Sequence, residues 1–426
     1  MDSAIPMRDT TSAPRVALRT VGCRLNQAES AQMAAAFQAA GYVVVAADEP
    51  CDVFVVHSCT ITGNAESDSA RLARSASRRD PRPVVVLAGC AVEVGGDEIG
   101  QRSHADLVVG QAEKFELPDL LAAGFGLPPP APQQTSSALP LFTSTRAIVR
   151  VQDGCRFGCS YCIVPQARSR LWSRPLAEVV EEVQRLGEAG FREIVVTGAN
   201  LGCYRDDTQG LTDLLAALLA NTSTPRIRLS SIEASTISPP LLELMTSDER
   251  ICRALHIPLQ SGSDAVLERM RRRYTRASFQ TLVNEALATM PLLGIGTDII
   301  TGFPGETDDD FARTRELVEA LPFGNLHVFP FSPRPGTGAA TLDGAVDTAV
   351  ARDRAKELIA LGEAKRTAFA QQFIGREVSV LVEKTDDAGG TGWTSEYLPA
   401  RVSGGVVEHQ IVTVTPTAWT ENYLVQ

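Results

Sequence analysis

Short β-branched runs separated by segments of helical spacing recur through most of this chain and limit its fold more than any other feature. Four of them, RVALRTVG, YVVVAA, CDVFVVHS and PVVVLAGC, precede residue 110, and AESAQMAAAFQAAG has helical spacing between two of them. Strands alternating with helices predict an α/β domain on a parallel sheet. LPPPAPQQTSSALP follows, rich in Pro, Ser and Gln without periodicity, and reads as a linker. The alternation then resumes from Arg146 to about Phe373. AIVRVQ, EIVVTGAN, RIRLSSIE, ALHIPLQ, GIGTDIITG and NLHVFPF read as strands, with helical segments such as LAEVVEEVQRLGEAG between them. About six βα units predict a partial (β/α)6-type or full barrel, closed by the long helical stretch TAVARDRAKELIALGEAKRTAFAQQF. The last fifty or so residues alternate apolar and polar positions with Gly, Asp and Thr turns, which predicts a small antiparallel β domain. The expected divisions are 1–126, a linker at 127–141, a barrel at 142–373 and a β domain at 374–426.

Composition narrows the class. A hydrophobic fraction of 44% with 21% charged residues excludes a largely disordered chain. No run of ~18 apolar residues is present, which excludes a membrane helix. MDSAIPMRDTTSAPRV lacks the apolar core of a signal peptide, so the expected location is the cytoplasm. The net charge of −11 excludes a generally cationic coat for nucleic acid but not focused basic patches. Nine cysteines, an odd number in a chain without marks of secretion, favour metal or redox chemistry over a disulfide framework.

Those cysteines fall into a pattern. Cys155, Cys159 and Cys162 form C-x3-C-x2-C directly after the first barrel strand, at the end where barrel active sites lie. Three thiolates on one loop ligate three irons of a [4Fe–4S] cube and leave the fourth iron open. The amino and carboxylate groups of S-adenosylmethionine suit that position, and cluster reduction would release a 5′-deoxyadenosyl radical. The competing reading is a zinc knuckle or buried free thiols, but zinc normally takes four protein ligands and no fourth Cys or His lies nearby. Cys23, Cys59 and Cys90 form a second set. Each follows a predicted strand of the first domain, so a parallel sheet brings all three to one edge. Taken singly, each suits an ordinary buried cysteine. Cys51, Cys203 and Cys252 read as bystanders.

With these residues assembled, the chain resembles the radical S-adenosylmethionine methylthiotransferases. The resemblance rests on TVGCRLNQAES, SCTIT and AGC in the first domain, and on CRFGCSYCIVP, TGANLG, LSSIEA, LHIPLQSGSDAVLERMRRRYT, TDIITGFPGET and HVFPFSPRPGTGAA in the barrel. It implies two [4Fe–4S] clusters: an auxiliary one on Cys23, Cys59 and Cys90, and a radical-generating one on Cys155, Cys159 and Cys162. It implies S-adenosylmethionine as methyl donor and radical source, an external electron donor, and a C-terminal module similar to the RNA-contacting TRAM barrel. Two departures are visible: His57-Ser58 stands before Cys59 where the family usually has Asn-Thr, and Ala91-Val92-Glu93 follows Cys90 where Tyr-Ala-Gln is common.

Further site residues are expected at strand ends. Gly198 and Asn200 would admit the cofactor's amino group, Glu233 would hold its ribose or ammonium, and His256 and Gln260 would face the same cavity. Arg174 would pair its carboxylate. For each the alternative is capping or support; no catalytic acid or base is assigned. Within the family, GCRLNQAES is most similar to the branch acting on N6-threonylcarbamoyladenosine beside the tRNA anticodon. The alternatives are isopentenyladenosine in tRNA, a ribosomal-protein aspartate, and a non-catalytic iron–sulfur scaffold that binds tRNA. Arg269, Arg271, Arg272 and Arg273 form a candidate phosphate-contacting patch for an anticodon stem-loop, and Arg168, Arg170 and Arg174 beside Trp172 a second. The C-terminal segment from Gly375 has three basic and seven acidic residues, or −4. RNA contact there would rest on stacking by Trp393, Tyr397 and Trp419.

Overall fold

The computed structural model describes residues 13–127, 139–142 and 144–426. Most of the linker expected at 127–141, and most of the N-terminal segment tested for a signal peptide, lie outside the described residues. The chain forms two compact units. The first is Met1–Phe142 with Gly154–Arg156 and Cys162–Leu171; the second is Thr143–Asp153, Phe157–Tyr161 and Trp172–Gln426.

The first unit is a parallel sheet of β1 (Arg15–Thr20), β2 (Val43–Val45), β3 (Val53–Ser58), β4 (Val84–Gly89) and β5 (Leu107–Val109), with helices α1 (Arg24–Ala39), α2 (Gly63–Ala76), α3 (Cys90–Ser103) and α4 (Leu117–Phe125). The strand order is β2-β1-β3-β4-β5. Every residue of β3 and β4 is buried, as expected for central strands covered on both faces. Their alternate side chains serve two cores: Val53, Val55, Val84 and Val86 pack with Met33 and Phe37 of α1, while Phe54, Val56, Val85 and Leu87 pack with Ala70 and Ala73 of α2. The short helix α5 (Val164–Ala167) also belongs to this unit.

The second unit continues with β6 (Arg146–Asp153), β7 (Trp172–Ser173), α6 (Leu176–Glu188), β8 (Glu193–Gly198), a small hairpin of β9 (Arg205–Asp206) and β10 (Gln209–Gly210), α7 (Leu211–Asn221), β11 (Arg226–Leu229), α8 (Pro239–Ser247), β12 (Ala254–His256), α9 (Asp264–Arg269), α10 (Arg276–Thr289), β13 (Gly294–Thr301), α11 (Asp308–Ala320), β14 (Asn325–Pro330) and α12 (Thr348–Gln371). Strands β6, β8 and β11 are parallel neighbours, as are β12, β13 and β14. Isolated bridges Ile227–Ile251 and Ser231–His256 join the two groups. This is the expected six-stranded partial barrel, with β7 as an antiparallel edge.

The C-terminal sheet contains β15 (Val378–Asp386), β16 (Gly389–Thr394), β17 (Pro399–Ser403), β18 (Ile411–Val414), β19 (Ala418–Thr420) and β20 (Tyr423–Val425). It is antiparallel except for β17 with β20. Residue 373 marks a change of architecture inside one compact unit, because buried charges tie the sheet to the barrel. Glu193 of β8 is fully buried and accepts from Arg228 Nε at 2.6 Å, and Arg228 also donates to Thr394 O and Ser395 O. Arg226 donates to Ser379 Oγ and Trp393 O.

Candidate iron–sulfur and radical site

In the first unit, β1, β3 and β4 are adjacent, and each is followed within three residues by one cysteine of the dispersed set. Cys23 caps α1, Cys59 succeeds Ser58, and Cys90 opens α3. The sheet thus brings three residues distant in sequence to one edge. Asn26 stands among them. Its amide nitrogen donates to Val21 O and Ser58 O, both at 2.9 Å, which turns Oδ1 toward Cys23 Sγ at 3.9 Å and Cys90 Sγ at 4.0 Å. Gly22 has φ +106°, and a Cβ there would stand 2.7 Å from Cys59 Sγ, so the turn requires glycine. Gln111 Nε2 reaches Cys90 Sγ at 2.9 Å.

Charge arranged behind these thiols fits an anionic group. Glu29, at 0% exposure, meets Arg168 and Lys114, each at 2.7 Å, and Lys114 is 1% exposed. Two buried cations thus meet at one buried carboxylate. Burial alone would raise the Glu29 carboxyl; Arg168 and Lys114 override it and hold Glu29 well below the usual range. His57 is wholly buried, which pushes its pKa down to about 3 and keeps the imidazole neutral. Its Nδ1 lies 2.9 Å from Ser30 Oγ and 3.1 Å from Asn26 O. Burial pushes the Cys59 thiol up and Cys90 up to about 12. Such thiols become thiolates when a metal cation takes their proton's place, so this donor set suits an iron–sulfur cluster.

The second cysteine set lies on the loop after β6. Gly154 and Gly158 adopt φ of +73° and +70°, which tightens that loop. Its central part is fixed from the barrel: Ser160 N donates to Met270 O at 3.0 Å, Ser160 Oγ to Arg269 O at 2.7 Å, and Ala339 N to Ser160 O at 2.7 Å. Arg272 donates to Cys159 Sγ and Tyr161 OH, both at 3.2 Å, and grips Glu233 with 2.6 and 2.8 Å bonds. Burial raises the Glu233 carboxyl above its ordinary value, although Arg272 pulls the other way.

Several expected residues take other positions. Arg272 is withdrawn from the proposed surface patch: its side chain is 4% exposed, because Glu233 and the cluster loop neutralise it inside the barrel. Arg269 is partly committed, to Asp343 at 2.9 Å and Pro304 O at 2.9 Å. Arg271 and Arg273 are exposed, with Arg273 over the Phe157 ring at 4.0 Å. Arg174 is engaged with Glu182 and Glu178 of α6, so its fork is not directed to a cofactor carboxylate. The space a Cβ would need at Gly198 is filled by Gln152, whose Oε1 accepts from Asn200 N at 2.8 Å. Gln260 is buried at φ +66°, a conformation costing roughly 1–3 kcal/mol for a non-glycine residue, and its backbone bonds Asp298 O and Ile300 N. Arg168 lies buried against Glu29 and is no phosphate ligand. Trp393 and Tyr397 stack on each other at 4.6 Å and meet Arg146 and Arg228, while Trp419 packs on the C-terminal core, so none of the three is a free stacking platform. Cys51 and Cys252 are buried outside the cysteine sets, and Cys203 ends a 3-10 turn.

Sequence reasoning passed over Asn26, Glu29, Gln111 and Lys114. Asn26 and Glu29 had a readable signal, since they follow Cys23 by three and six residues on one helix. Lys114 had none.

Residues 149–318 match the radical SAM superfamily, and residues 15–110 match the uncharacterized protein family UPF0004. The chain is 34% identical over 409 residues to the threonylcarbamoyladenosine tRNA methylthiotransferase MtaB of Bacillus subtilis, covering 91% of this chain and 90% of that protein. The chain belongs to the radical S-adenosylmethionine methylthiotransferases. It is 36% identical over 376 residues to MtaB of Thermotoga maritima, covering 86% of each. It is also 34% identical over 387 residues to the tRNA-2-methylthio-N(6)-dimethylallyladenosine synthase of Moorella thermoacetica, covering 86% and 87%. Among solved structures, the radical S-adenosylmethionine methyltransferase TsrM of Kitasatospora setae shares the fold, with a TM-score of 0.58 at 15% identity over 77% of each chain. Membership in this family implies iron–sulfur chemistry and S-adenosylmethionine. Among the described residues, no helix is long and apolar enough to cross a membrane.

Proposed function

We propose that this methylthiotransferase inserts a methylthio group at C2 of N6-threonylcarbamoyladenosine beside the tRNA anticodon. The observation that carries the substrate is the 34–36% identity, across 86–91% of the chain, to proteins of that printed activity. The site chemistry agrees with the reaction. Cys23, Cys59 and Cys90 would hold one [4Fe–4S] cluster, and Cys155, Cys159 and Cys162 the other. When bound, these clusters and S-adenosylmethionine supply the carbon radical and sulfur group that acid–base catalysis does not offer at an aromatic C–H. The chain's own residues position and shelter them. Gly22 brings backbone against Cys59, Asn26 and Gln111 polarise the neighbourhood of Cys90, and Lys114 with Arg168 balances its charge. Arg272 orients Cys159 and Glu233. An external reductant would supply electrons, and the cytoplasm is the proposed location.

Mass spectrometry of tRNA nucleosides from a deletion strain tests the reading. Loss of the 2-methylthio form of threonylcarbamoyladenosine is expected. The similarity to the dimethylallyladenosine synthase supports a second reading, in which the methylthio group disappears from isopentenyladenosine instead. Intact nucleosides with an unmethylthiolated ribosomal protein would point to the protein substrate, and no change in any of them to a scaffold.

A further inference from the structure

Three neighbouring barrel strands each direct a metal-ligating side chain to one face. His256 ends β12, Asp298 lies in β13, and His327 in β14. The parallel register sets His256 beside Gly296 and Asp298 beside His327. Alternation along a strand places Gly296 and Asp298 on the same face. Leu326 packs toward Gly362 of α12, so Asn325 and His327 point the opposite way, away from that helix.

The side chains converge closely. His256 Nε2 is 3.0 Å, and His327 Nδ1 3.2 Å, from the same Asp298 oxygen. One ligand atom from each of the three residues lies within 4.8 Å of the others. Gly296 makes room, since a Cβ there would stand 2.9 Å from His256 Nδ1. A carboxylate flanked by two imidazoles offers donor atoms to a cation rather than to a phosphate or carboxylate. Imidazole nitrogen with carboxylate oxygen is the donor set of zinc or iron(II), whereas magnesium and calcium prefer oxygen alone.

We propose that His256, Asp298 and His327 form a mononuclear site for a divalent first-row ion of the zinc or iron(II) class. The site shares no residue with either cysteine set. Bonds of ~2.0–2.2 Å would bring the donor atoms to about 3.4 Å apart in a tetrahedron, close to the spacings around Asp298. Each imidazole would then carry its proton on the ring nitrogen away from the ion. For His327 that nitrogen is Nε2, which lies 2.9 Å from the Asn325 amide; rotating the amide presents its oxygen as acceptor. The His327 side chain is 48% exposed, which leaves the remaining coordination positions open to water or a substrate oxygen.

Equilibrium dialysis of the anaerobically reconstituted full-length protein against zinc(II), with iron and zinc counted by mass spectrometry, tests the site. One zinc per chain in addition to cluster iron is expected. His327→Ala and Asp298→Asn should each weaken zinc retention by at least about tenfold with unchanged iron. His327 is half exposed, so its truncation leaves the fold intact. No zinc on the wild type would overturn the proposal. Equal retention by both variants would overturn it too, by placing the zinc on other ligands such as the cysteine thiols.

Discussion

Cys90 shows what a single position must satisfy here. Burial makes its thiol a poor acid, yet Gln111 and Asn26 face its sulfur and Arg168 acts on it from the buried group around Glu29. Replacing Cys23, Cys59 and Cys90 with Ala should remove about half of roughly eight reconstituted irons and leave S-adenosylmethionine cleavage in place. Replacing Cys155, Cys159 and Cys162 should remove the other half and abolish cleavage. Cys51→Ser, Cys203→Ser and Cys252→Ser should keep full iron. Iron analysis after anaerobic reconstitution checks all of these, and four irons on the wild type would sink the two-cluster reading. Glu29 has a different sensitivity. Glu29→Gln leaves Arg168 and Lys114 buried without their carboxylate, and should cost about 3–5 kcal/mol in urea unfolding of the apoprotein. Adding Lys114→Met removes one stranded charge and should recover part of that loss.

At the scale of elements, β8 and β11 connect the barrel to the C-terminal sheet through Glu193, Arg226 and Arg228. Burial alone would raise the Glu193 carboxyl, but Arg228 and Arg226 outweigh it and hold it below its ordinary 4.5. A carboxylate with a depressed folded pKa adds stability that is complete above its unfolded value and is lost as pH falls through the folded one. Stability of the second unit should therefore decline on acidification below about pH 4.5. Glu193→Gln should remove that part of the acid dependence and cost about 3–5 kcal/mol at neutral pH. Chemical denaturation from pH 7 to 3, followed by the fluorescence of the tryptophans, all in the second unit, reads both effects; an unchanged acid slope in the variant would remove Glu193 as its source.

For the whole molecule, net charge frames RNA binding. With −11 overall, attraction to phosphate must come from focused residues. The structure reduces the expected arginine run to the exposed Arg271 and Arg273, because Arg272 faces Glu233 and Arg269 is tied to Asp343. Each phosphate contact adds about 0.7 to 0.9 to the log–log salt slope. Arg271→Ala with Arg273→Ala should therefore flatten the slope for tRNA binding by about one to two units, while cleavage of S-adenosylmethionine without tRNA stays the same. An unaltered slope would make this run a solvated surface.

The sequence by itself determined the alternation of strands and helices, the placement of six cysteines after strands, and the family motifs, because these are local patterns of period and spacing. Only the tertiary structure decided where each charged side chain points. Arg272 and Arg273 are adjacent in sequence, yet one enters the barrel to meet Glu233 and the other remains outside. Lys114 has no motif, and its burial beside Glu29 depends on a helix that begins ninety residues earlier at Arg24. His256, Asp298 and His327 meet only because β12, β13 and β14 pair in one register. The electrostatics of a site depend on distance and burial, which the pairing of strands sets across long stretches of chain.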